Sequence, residues 1–441
     1  MMRTMLVGGL LMAAALFGCG GEDGSETVPP VDRRARLQAA ETWMYQISKL
    51  DEGNAIAVLA ATDYPLLVLE PGHNHRPCTD FDPADLGAPG FDQGDLCANV
   101  YDTAAMIDQL RTTPGGTERL LIAYIDVGQA EWYRDYWVEG WEPPPVSGGT
   151  GTPDFILAAD PDGWAGNFVV AYWDERWKEL WLGTGASDGI IAELATLGFD
   201  GVYLDWVEAY DDERVQDAAG DLDPAEEMAI FVEQIGNRGR EITPEFLVIA
   251  QNATYLIDEL ADPAQYAGAI DGLAVEDTWY YGDGSSENWN DGDGDTGDWD
   301  ISDRLQCESD CCLDTIVAPD NVCPIDRRNT DTPSGCWDDS DPALEPWLCL
   351  RNQPVSGDLH GGGRHICEPG EEDGPNCWST ENRLAAYQRY LAQSVPVFSV
   401  DYVISEDKAA EVYAAARTER LRPIVTRVQL SQNTPTPPWD F

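Results

Sequence analysis

Basic side chains are scarce in this chain of 441 residues. It has 80 Asp and Glu against 26 Lys and Arg, only three of them lysines, and a formal net charge of −54. Because a phosphate backbone would be repelled by such a charge, the composition excludes a general nucleic-acid binder and favours a neutral or cationic partner. Two explanations of the acidity stay open. One is a surface solvated by acidic residues, as in high salt, and the other is selective attraction of a polycation.

Histidine is scarce too, with four in the chain, of which His73 and His75 form a His-x-His pair. A metal-dependent barrel hydrolase would need further His or Lys ligands on its middle strands, which carry none. The Gly-x-Ser-x-Gly elbow of many serine hydrolases is missing as well. We therefore predict that the chain requires no cofactor.

An acidic loop at 292–297 has the glycine spacing of a dinucleotide site. No strand precedes it, and its aspartates would repel a pyrophosphate. Oxygen ligands of this kind suit a structural calcium ion, and a solvated acidic loop is the alternative. The candidate calcium ligands are Asp291, Asp293, Asp295 and Asp298.

The apolar run at 5–17 is too short to span a membrane and is followed by a polar stretch, which predicts a signal peptide over 1–18. Gly18-Cys19 resembles a bacterial lipobox, so Cys19 is expected to carry lipid at the start of a linker over 19–40. We expect an exported lipoprotein that is anchored to outer-membrane lipid, at the cell surface or in the periplasm. A cleaved, fully secreted product is the alternative.

Cysteine counting agrees with export. Without Cys19 the eleven cysteines leave ten, which suits five disulfides in an oxidising compartment. Cys78 and Cys97 are expected to close one loop. The other eight lie within 281–379, a segment rich in Asp and Gly with little periodic apolar pattern, and we interpret it as a disulfide-stapled insertion.

Apolar strand-like runs alternate with helical patterns along the chain, as in a parallel sheet covered by helices. Eight runs over this length predict a (β/α)₈ TIM barrel over 41–430, interrupted by the insertion and followed by a tail at 431–441. A doubly wound open sheet is the alternative fold. We expect the protein to be a monomer. The predicted strands are 42–47, 65–69, 120–127, 201–204, 246–250, 272–275, 395–400 and 422–428.

Polar residues follow most of these runs, and in a barrel such strand ends converge at one mouth. Converging carboxylates raise one another's pKa, and one charged with one protonated carboxyl is the pair that cleaves glycosidic bonds. Aromatic residues nearby offer flat faces for sugar rings. The polar strand ends are Glu70, Asp126, Asp205, Glu208, Gln251, Asn252, Glu276, Asp277, Asp401 and Tyr402.

Three stretches carry a family likeness: LIAYIDVGQAE at 121–131, the segment from WAGN at 164 to Trp177, and GFDGVYLDWVEAY at 198–210. They resemble glycoside hydrolase family 114, the endo-α-1,4-polygalactosaminidases, which have a TIM barrel. The resemblance implies endo-cleavage of an α-1,4-linked galactosamine polysaccharide, a cationic amino-sugar polymer. It also implies a retaining mechanism, with Asp205 as nucleophile and Glu276 as acid/base, and Glu276 is expected in the more apolar surroundings.

Other polar and aromatic residues near the strand ends are predicted substrate contacts. Binding is favoured over capping for Asp126 and Asp401, whereas an i, i+3 ion pair explains Glu131 and Arg134 at least as well. Two other functions stay open, a non-catalytic carbohydrate-binding lipoprotein and an α-glycosidase acting on another α-glycan. The predicted contacts are Tyr45, Tyr124, Asp126, Glu131, Arg134, Tyr172, Asp174, Tyr203, Glu208, Trp279, Asp401 and Tyr402.

Overall fold

The structure is a computed structural model of the chain. The signal peptide, Cys19 and the other cysteines, His73, His75, Asp277, the calcium candidates, the insertion at 281–379 and the tail lie outside the residues it describes. The predictions made for these residues from the sequence therefore remain predictions. The described residues are 32–72 except 52, 101–160 except 139 and 145–148, 166–276 except 185–187, 278–279, 380–426 except 403–405, and 430.

Strands in the described part fall into one large parallel sheet and one small antiparallel sheet. All eight predicted strands are present and lie within about two residues of their predicted starts. In chain order the strands are β1 (Met44–Gln46), β2 (Leu66–Leu69), β3 (Leu120–Asp126), β4 (Gln129–Glu131), β5 (Ile156–Ala159), β6 (Asn167–Val170), β7 (Gly201–Asp205), β8 (Leu247–Gln251), β9 (Gly272–Glu276), β10 (Val397–Asp401) and β11 (Arg422–Val425).

The large sheet runs in the order β1-β2-β3-β7-β8-β9-β10-β11, and every pairing in it is parallel. A doubly wound sheet would reverse its strand order at a switch point, and this one follows the chain throughout. Its two ends approach each other, because Trp43 Nε1 donates to Arg422 O at 3.0 Å and Ile47 N donates to Leu430 O at 3.0 Å. The sheet is therefore a nearly closed (β/α)₈ barrel.

Burial on both faces explains why these strands appear as continuous apolar runs in the sequence. All seven residues of β3 are buried, and each large apolar side chain there stabilises the fold by roughly 1.5 to 3 kcal/mol. Inside the barrel Tyr45, Tyr124 and Tyr203 pack together, with ring centroids 4.9 to 6.3 Å apart. The barrel centre is thus filled with aromatic side chains directly beneath the strand ends.

Helices cover the outside of the barrel, and several begin with an aspartate whose side chain accepts a backbone N–H. Asp102, Asp212, Asp223 and Asp262 cap in this way, each contributing about 1 kcal/mol. The helices are α1 (Arg33–Ala39), α2 (Ala55–Ala60), α3 (Thr103–Leu110), α4 (Glu175–Leu182), α5 (Gly189–Leu197), α6 (Glu213–Ala219), α7 (Pro224–Ile242), α8 (Leu256–Glu259), α9 (Pro263–Ala269), α10 (Thr380–Ala392) and α11 (Glu406–Thr418).

Two features differ from the sequence prediction. The end of the predicted linker is helix α1, which belongs to the folded body because Leu37 is fully buried and Arg33 pairs with Asp200 at 2.8 Å. The antiparallel sheet β4-β6-β5 was not predicted at all. Within the described part of the chain, no helix combines the length and hydropathy needed to cross a bilayer.

Candidate active site

Four acidic residues close parallel strands of the barrel: Asp126 on β3, Asp205 on β7, Glu276 on β9 and Asp401 on β10. Asp126 lies directly beside Asp205 in the strand register, and Val400 lies beside Glu276. Because parallel strands end at the same edge, these carboxyl groups meet at one mouth of the barrel. The structure thus brings together the strand-end carboxylates that the sequence singles out.

Asp205 is held by two hydrogen bonds. Its Oδ2 accepts from the Tyr124 hydroxyl at 2.5 Å, and its Oδ1 accepts from the backbone N–H of Trp206 at 2.8 Å. Trp206 has a φ of 56°, a left-handed conformation that is unusual for a bulky residue and typical of functional sites. The strand ends at Asp205, directly before this left-handed residue.

Burial raises the pKa of Asp205 to about 7, and the negative charge of Glu276 contributes to the rise. The phenol of Tyr124 and the Trp206 N–H act in the opposite direction but do not cancel it. Near neutral pH this carboxyl group therefore exchanges a proton easily. A pKa raised in this way by burial and a neighbouring charge is typical of groups at functional sites.

Glu276 lies among hydrogen-bond donors. Its Oε2 accepts from Gln251 Nε2 at 2.6 Å and from Asn252 Nδ2 at 2.9 Å, and its Oε1 accepts from the Tyr402 hydroxyl. The expectation that Glu276 has the more apolar surroundings therefore does not match the geometry. Gln251 and Asn252 were visible in the sequence only as polar strand ends, with no assigned role, and the structure shows that they orient this carboxylate.

Asp126 forms a local turn while facing Asp205. Its Oδ1 accepts from the backbone N–H groups of Gly128 at 3.1 Å and Gln129 at 2.8 Å. Burial and the charge of Asp205 raise its pKa well above the usual range. Gly128 is required here because a Cβ would come within 2.3 Å of the Trp206 carbonyl oxygen. The loop after β3 is thereby packed against the turn that follows Asp205.

Asp401 supports the loop that follows Glu276. Its Oδ1 accepts from the backbone N–H of Trp279 at 2.8 Å, and the side chain is fully buried. Burial raises the pKa of Asp401 well above the usual range. Asp126 and Asp401 thus both make capping contacts, although substrate binding was the favoured prediction for each.

Arg134 lies in a buried ion-pair network with two acidic residues. It pairs with Glu131 through Nε at 2.7 Å and with Glu70 through Nη1 at 2.6 Å. Glu131 also accepts a hydrogen bond from the Tyr133 hydroxyl. This is the i, i+3 pair anticipated from the sequence, with Glu70 as a further partner, and it anchors β4 to the end of β2.

Two predicted substrate contacts lie away from the carboxylate cluster. The Tyr172 hydroxyl donates to Pro224 O at 2.6 Å, and its side chain is fully buried against the helical layer. Asp174 caps helix α4 by accepting from the Arg176 N–H at 2.9 Å and pairs with the Arg176 side chain. Their polar groups are therefore used in packing and capping rather than in the site.

Most of the predicted aromatic contacts fill space rather than offer an open face. Tyr45 and Tyr203 are buried in the barrel centre, and Trp279 and Tyr402 are at most 4% exposed. Trp206, in contrast, is only partly buried. Trp206 therefore offers a side chain on which a sugar ring could stack beside Asp205.

Glu208 lies in the short 3₁₀ helix Val207–Asp211 that follows Trp206. Burial and the charge of Asp205 raise its pKa well above the usual range. Across the residues that the structure describes, no cluster of three or more His, Cys, Asp or Glu has a geometry suited to a metal ion. The site is thus built from carboxylates, amides and phenols.

Comparison with known proteins identifies relatives. The model of glycoside-hydrolase family GH114 matches residues 95–278, a range that contains both Asp205 and Glu276. An uncharacterized protein of Deinococcus radiodurans is 32% identical over 284 residues, covering 62% of this chain and 75% of that protein. An uncharacterized protein of Thermotoga maritima is 35% identical over 159 residues, covering 36% of this chain and 44% of that protein.

Solved structures also resemble the chain. The glycoside hydrolase domain of PelA from Pseudomonas aeruginosa has 14% identity and a TM-score of 0.43, covering 89% of this chain and 96% of that one. Ega3 of Aspergillus fumigatus, determined in complex with galactosamine, has 12% identity and a TM-score of 0.42, covering 89% of this chain and 92% of that one.

Proposed function

The chain belongs to glycoside hydrolase family GH114, and from this premise we propose that it cleaves an α-1,4-linked galactosamine-containing polysaccharide within the chain, using Asp205 and Glu276. One observation carries the proposal: Asp205 and Glu276 end strands β7 and β9, on either side of β8, and the charge of Glu276 contributes to the raised pKa of Asp205. Two carboxyl groups at one mouth are the two groups that glycosidic cleavage needs.

The proposed mechanism is retaining. Glu276 protonates the glycosidic oxygen while Asp205 attacks the anomeric carbon, and Glu276 then activates the water that releases the sugar. Retaining enzymes hold their carboxyl groups about 5 to 5.5 Å apart, against about 6.5 to 9.5 Å for inverting ones. The phenol of Tyr124 and the N–H of Trp206 hold Asp205 in place for attack, and Gln251, Asn252 and Tyr402 hold Glu276.

The role of nucleophile requires Asp205 to be ionised when it attacks. In the free enzyme the raised pKa of Asp205 favours a proton on the group that must attack as an anion. A cationic substrate bound nearby lowers the pKa of Asp205, because an opposite charge favours the ionised form. An amino sugar would therefore ionise the nucleophile on arrival, whereas a neutral sugar would not.

The substrate class fits the charge of the site. Asp126, Asp205, Glu208 and Glu276 cluster at the mouth, and no salt bridge to any of the four occurs in the part of the chain that the structure describes. A net charge of −54 adds long-range attraction for a polycation. A polymer of deacetylated galactosamine, which carries one ammonium group per free amine, meets both conditions.

We also propose that the enzyme works outside the cytoplasm as a lipoprotein. The support is the apolar run at 5–17, the Gly18-Cys19 pair and the even count of ten further cysteines. Lipid labelling of the full chain, compared with a Cys19→Ser variant, tests the anchor. Label in the wild type alone supports it, and equal label in both refutes it.

The activity test is chemical rescue with azide on Asp205→Ala and Glu276→Ala. Azide is expected to give the inverted glycosyl azide when the nucleophile is missing and the retained one when the acid/base is missing. The opposite assignment of the two products would exchange the roles of the two residues. Binding of the polymer with no new reducing ends from the wild type would instead favour a carbohydrate-binding protein.

A further inference from the structure

Arg383 is a buried arginine at the start of helix α10 that contacts the backbone of Glu276. Only 8% of the residue is exposed, and its Nη1 donates to the Glu276 carbonyl oxygen at 2.7 Å, across 107 residues of sequence. Taking a guanidinium group out of water is costly, so an arginine is seldom buried unless its hydrogen bonds are used. Here one of those bonds is made to a residue of the proposed catalytic pair.

Side chains hold the backbone of Glu276 on both sides. Glu276 is the last residue of strand β9, where the hydrogen bonding of the sheet ends. Its N–H donates to Asn252 Oδ1 at 2.9 Å, and its carbonyl group accepts from Arg383. Asn252 also donates to the carboxylate of Glu276 at 2.9 Å. The backbone and the carboxylate of this residue are therefore fixed together.

The loop that follows strand β9 is held by the same helix and by strand β10. Tyr387 lies one helical turn after Arg383, on the same face of helix α10, and its hydroxyl is 3.2 Å from Thr278 Oγ1. Asp401 accepts the N–H of Trp279 at 2.8 Å. Burial raises the pKa of Asp401, and the positive charge of Arg383 acts in the opposite direction, so Arg383 also stabilises this buried carboxylate.

We propose that Arg383 is a positioning residue for Glu276, which it holds at the barrel mouth through the backbone carbonyl group rather than through the carboxylate. This inference rests on the proposed function for the role of Glu276 as acid/base. A general acid must lie within hydrogen-bond distance of the glycosidic oxygen, and a displacement of about 1 Å can lower the rate about 100-fold. Without Arg383 the Glu276 carbonyl loses its charged donor, and the end of strand β9 shifts.

The test compares two substrates that differ in their need for an acid. One is a galactosamine oligosaccharide, whose departing sugar must be protonated by Glu276. The other is the dinitrophenyl glycoside of the same oligosaccharide, whose departing phenolate needs no proton. For a retaining enzyme, kcat/KM covers the steps up to the glycosyl-enzyme, and in these steps Glu276 acts only as the acid.

Arg383→Met is expected to affect the two substrates differently. For the oligosaccharide we expect kcat/KM to fall about 10- to 100-fold, because the acid is displaced. For the dinitrophenyl glycoside we expect a change of less than about 3-fold, because no acid is needed. A loss of general structure would instead lower both values by the same factor.

The matched control is Arg389→Met. Arg389 lies on the same helix but pairs with Asp258 and is more exposed than Arg383, so kcat/KM is expected to be unchanged for both substrates. Arg383→Lys keeps a cation that can donate to the carbonyl group, and it is expected to recover most of the oligosaccharide activity. Tyr387→Phe removes one hydroxyl without a change of charge and is expected to lower only the oligosaccharide value, by about 3- to 10-fold.

The outcomes separate this inference from the proposed function. Equal losses for the two substrates in Arg383→Met, or no loss for either, would overturn the positioning role. If thermal melting shows that Arg383→Met is unfolded, Tyr387→Phe and Arg383→Lys decide the matter, and equal losses for the two substrates in these variants would overturn the role as well. Failure of the wild type to cleave either substrate would instead refute the proposed function, and the role of Arg383 with it.

Discussion

Replacing Asp205 with Asn is expected to stabilise the enzyme at neutral and alkaline pH while abolishing its activity. The raised pKa of Asp205 means that the folded protein binds a proton at pH values where the unfolded chain does not. The stability linked to this proton is fully present below about pH 4 and is lost as the pH rises through about 7. Asparagine is neutral throughout and avoids that loss.

The size of the effect follows from the pKa. A rise from 3.8 to about 7 spans roughly three pH units, and each unit corresponds to about 1.4 kcal/mol. Asp205→Asn is therefore expected to gain about 4 kcal/mol over the wild type between pH 4 and pH 8. The burial-raised pKa values of Asp126 and Glu208 depend partly on the Asp205 charge, so its removal favours the variant further at high pH.

The assay is thermal and denaturant unfolding of both proteins at several pH values from 4 to 8. Asp108→Asn is the control, because Asp108 is exposed on helix α3 and is expected to show no pH-dependent gain. A constant difference between Asp205→Asn and the wild type across this range would refute the reasoning. So would a variant that is less stable than the wild type at pH 8.

The remaining predictions concern contacts on either side of the site. Tyr402→Phe removes a hydrogen-bond donor to Glu276 and is expected to lower kcat about 10-fold or more with little change in KM. The measurement is the pH–rate profile of both proteins, and an unchanged profile would contradict a role for this hydrogen bond. Asp174→Ala is expected to lower the free energy of unfolding by about 1 kcal/mol and to leave kcat/KM unchanged, because Asp174 caps a helix away from the site. A large loss of activity would show instead that Asp174 takes part in the site. Arg134→Met leaves two buried carboxylates unpaired and is expected to cost about 3 to 5 kcal/mol by denaturant unfolding. The more exposed pair removed by Arg238→Met is expected to cost under about 1 kcal/mol, and equal losses would contradict the account.

The barrel was predictable from sequence because its strands are buried on both faces. Such strands appear as continuous runs of Val, Ile and Leu, as β3 and β8 do, and their chain order was enough to suggest a barrel. Strand ends were also predictable, since a carboxylate directly after a buried strand is unusual. Asp205 and Glu276 could therefore be recognised as polar strand ends, whereas their choice as the catalytic pair came from the family resemblance.

Other features depended on contacts between residues distant in sequence. The sheet β4-β6-β5 consists of strands of three or four residues, and so short a segment has no clear periodicity. The orientation of Glu276 by Gln251 involves residues 25 apart in sequence, which no local pattern reveals. Tyr172 was grouped with the site because it is aromatic and lies in a matching stretch, whereas its hydroxyl is used to bind the Pro224 carbonyl.

The left-handed turn at Trp206 is the local feature that sequence reasoning had least means to find. A bulky residue with a φ of 56° contradicts ordinary preference, and Gly128 lies directly against its carbonyl oxygen. The Trp206 N–H donates to Asp205, and the 3₁₀ helix that contains Glu208 follows directly. The local strain thus lies where the proposed chemistry takes place.

The central claim is that Asp205 and Glu276 together cleave a galactosamine polymer. The most direct measurement is the release of new reducing ends from deacetylated polygalactosamine by the wild type, Asp205→Asn and Glu276→Gln, with Asp108→Asn as a folded control. The account predicts release by the wild type and the control and a loss of at least about 1000-fold in each site variant. Substantial release by either site variant, or none by the wild type, would contradict it.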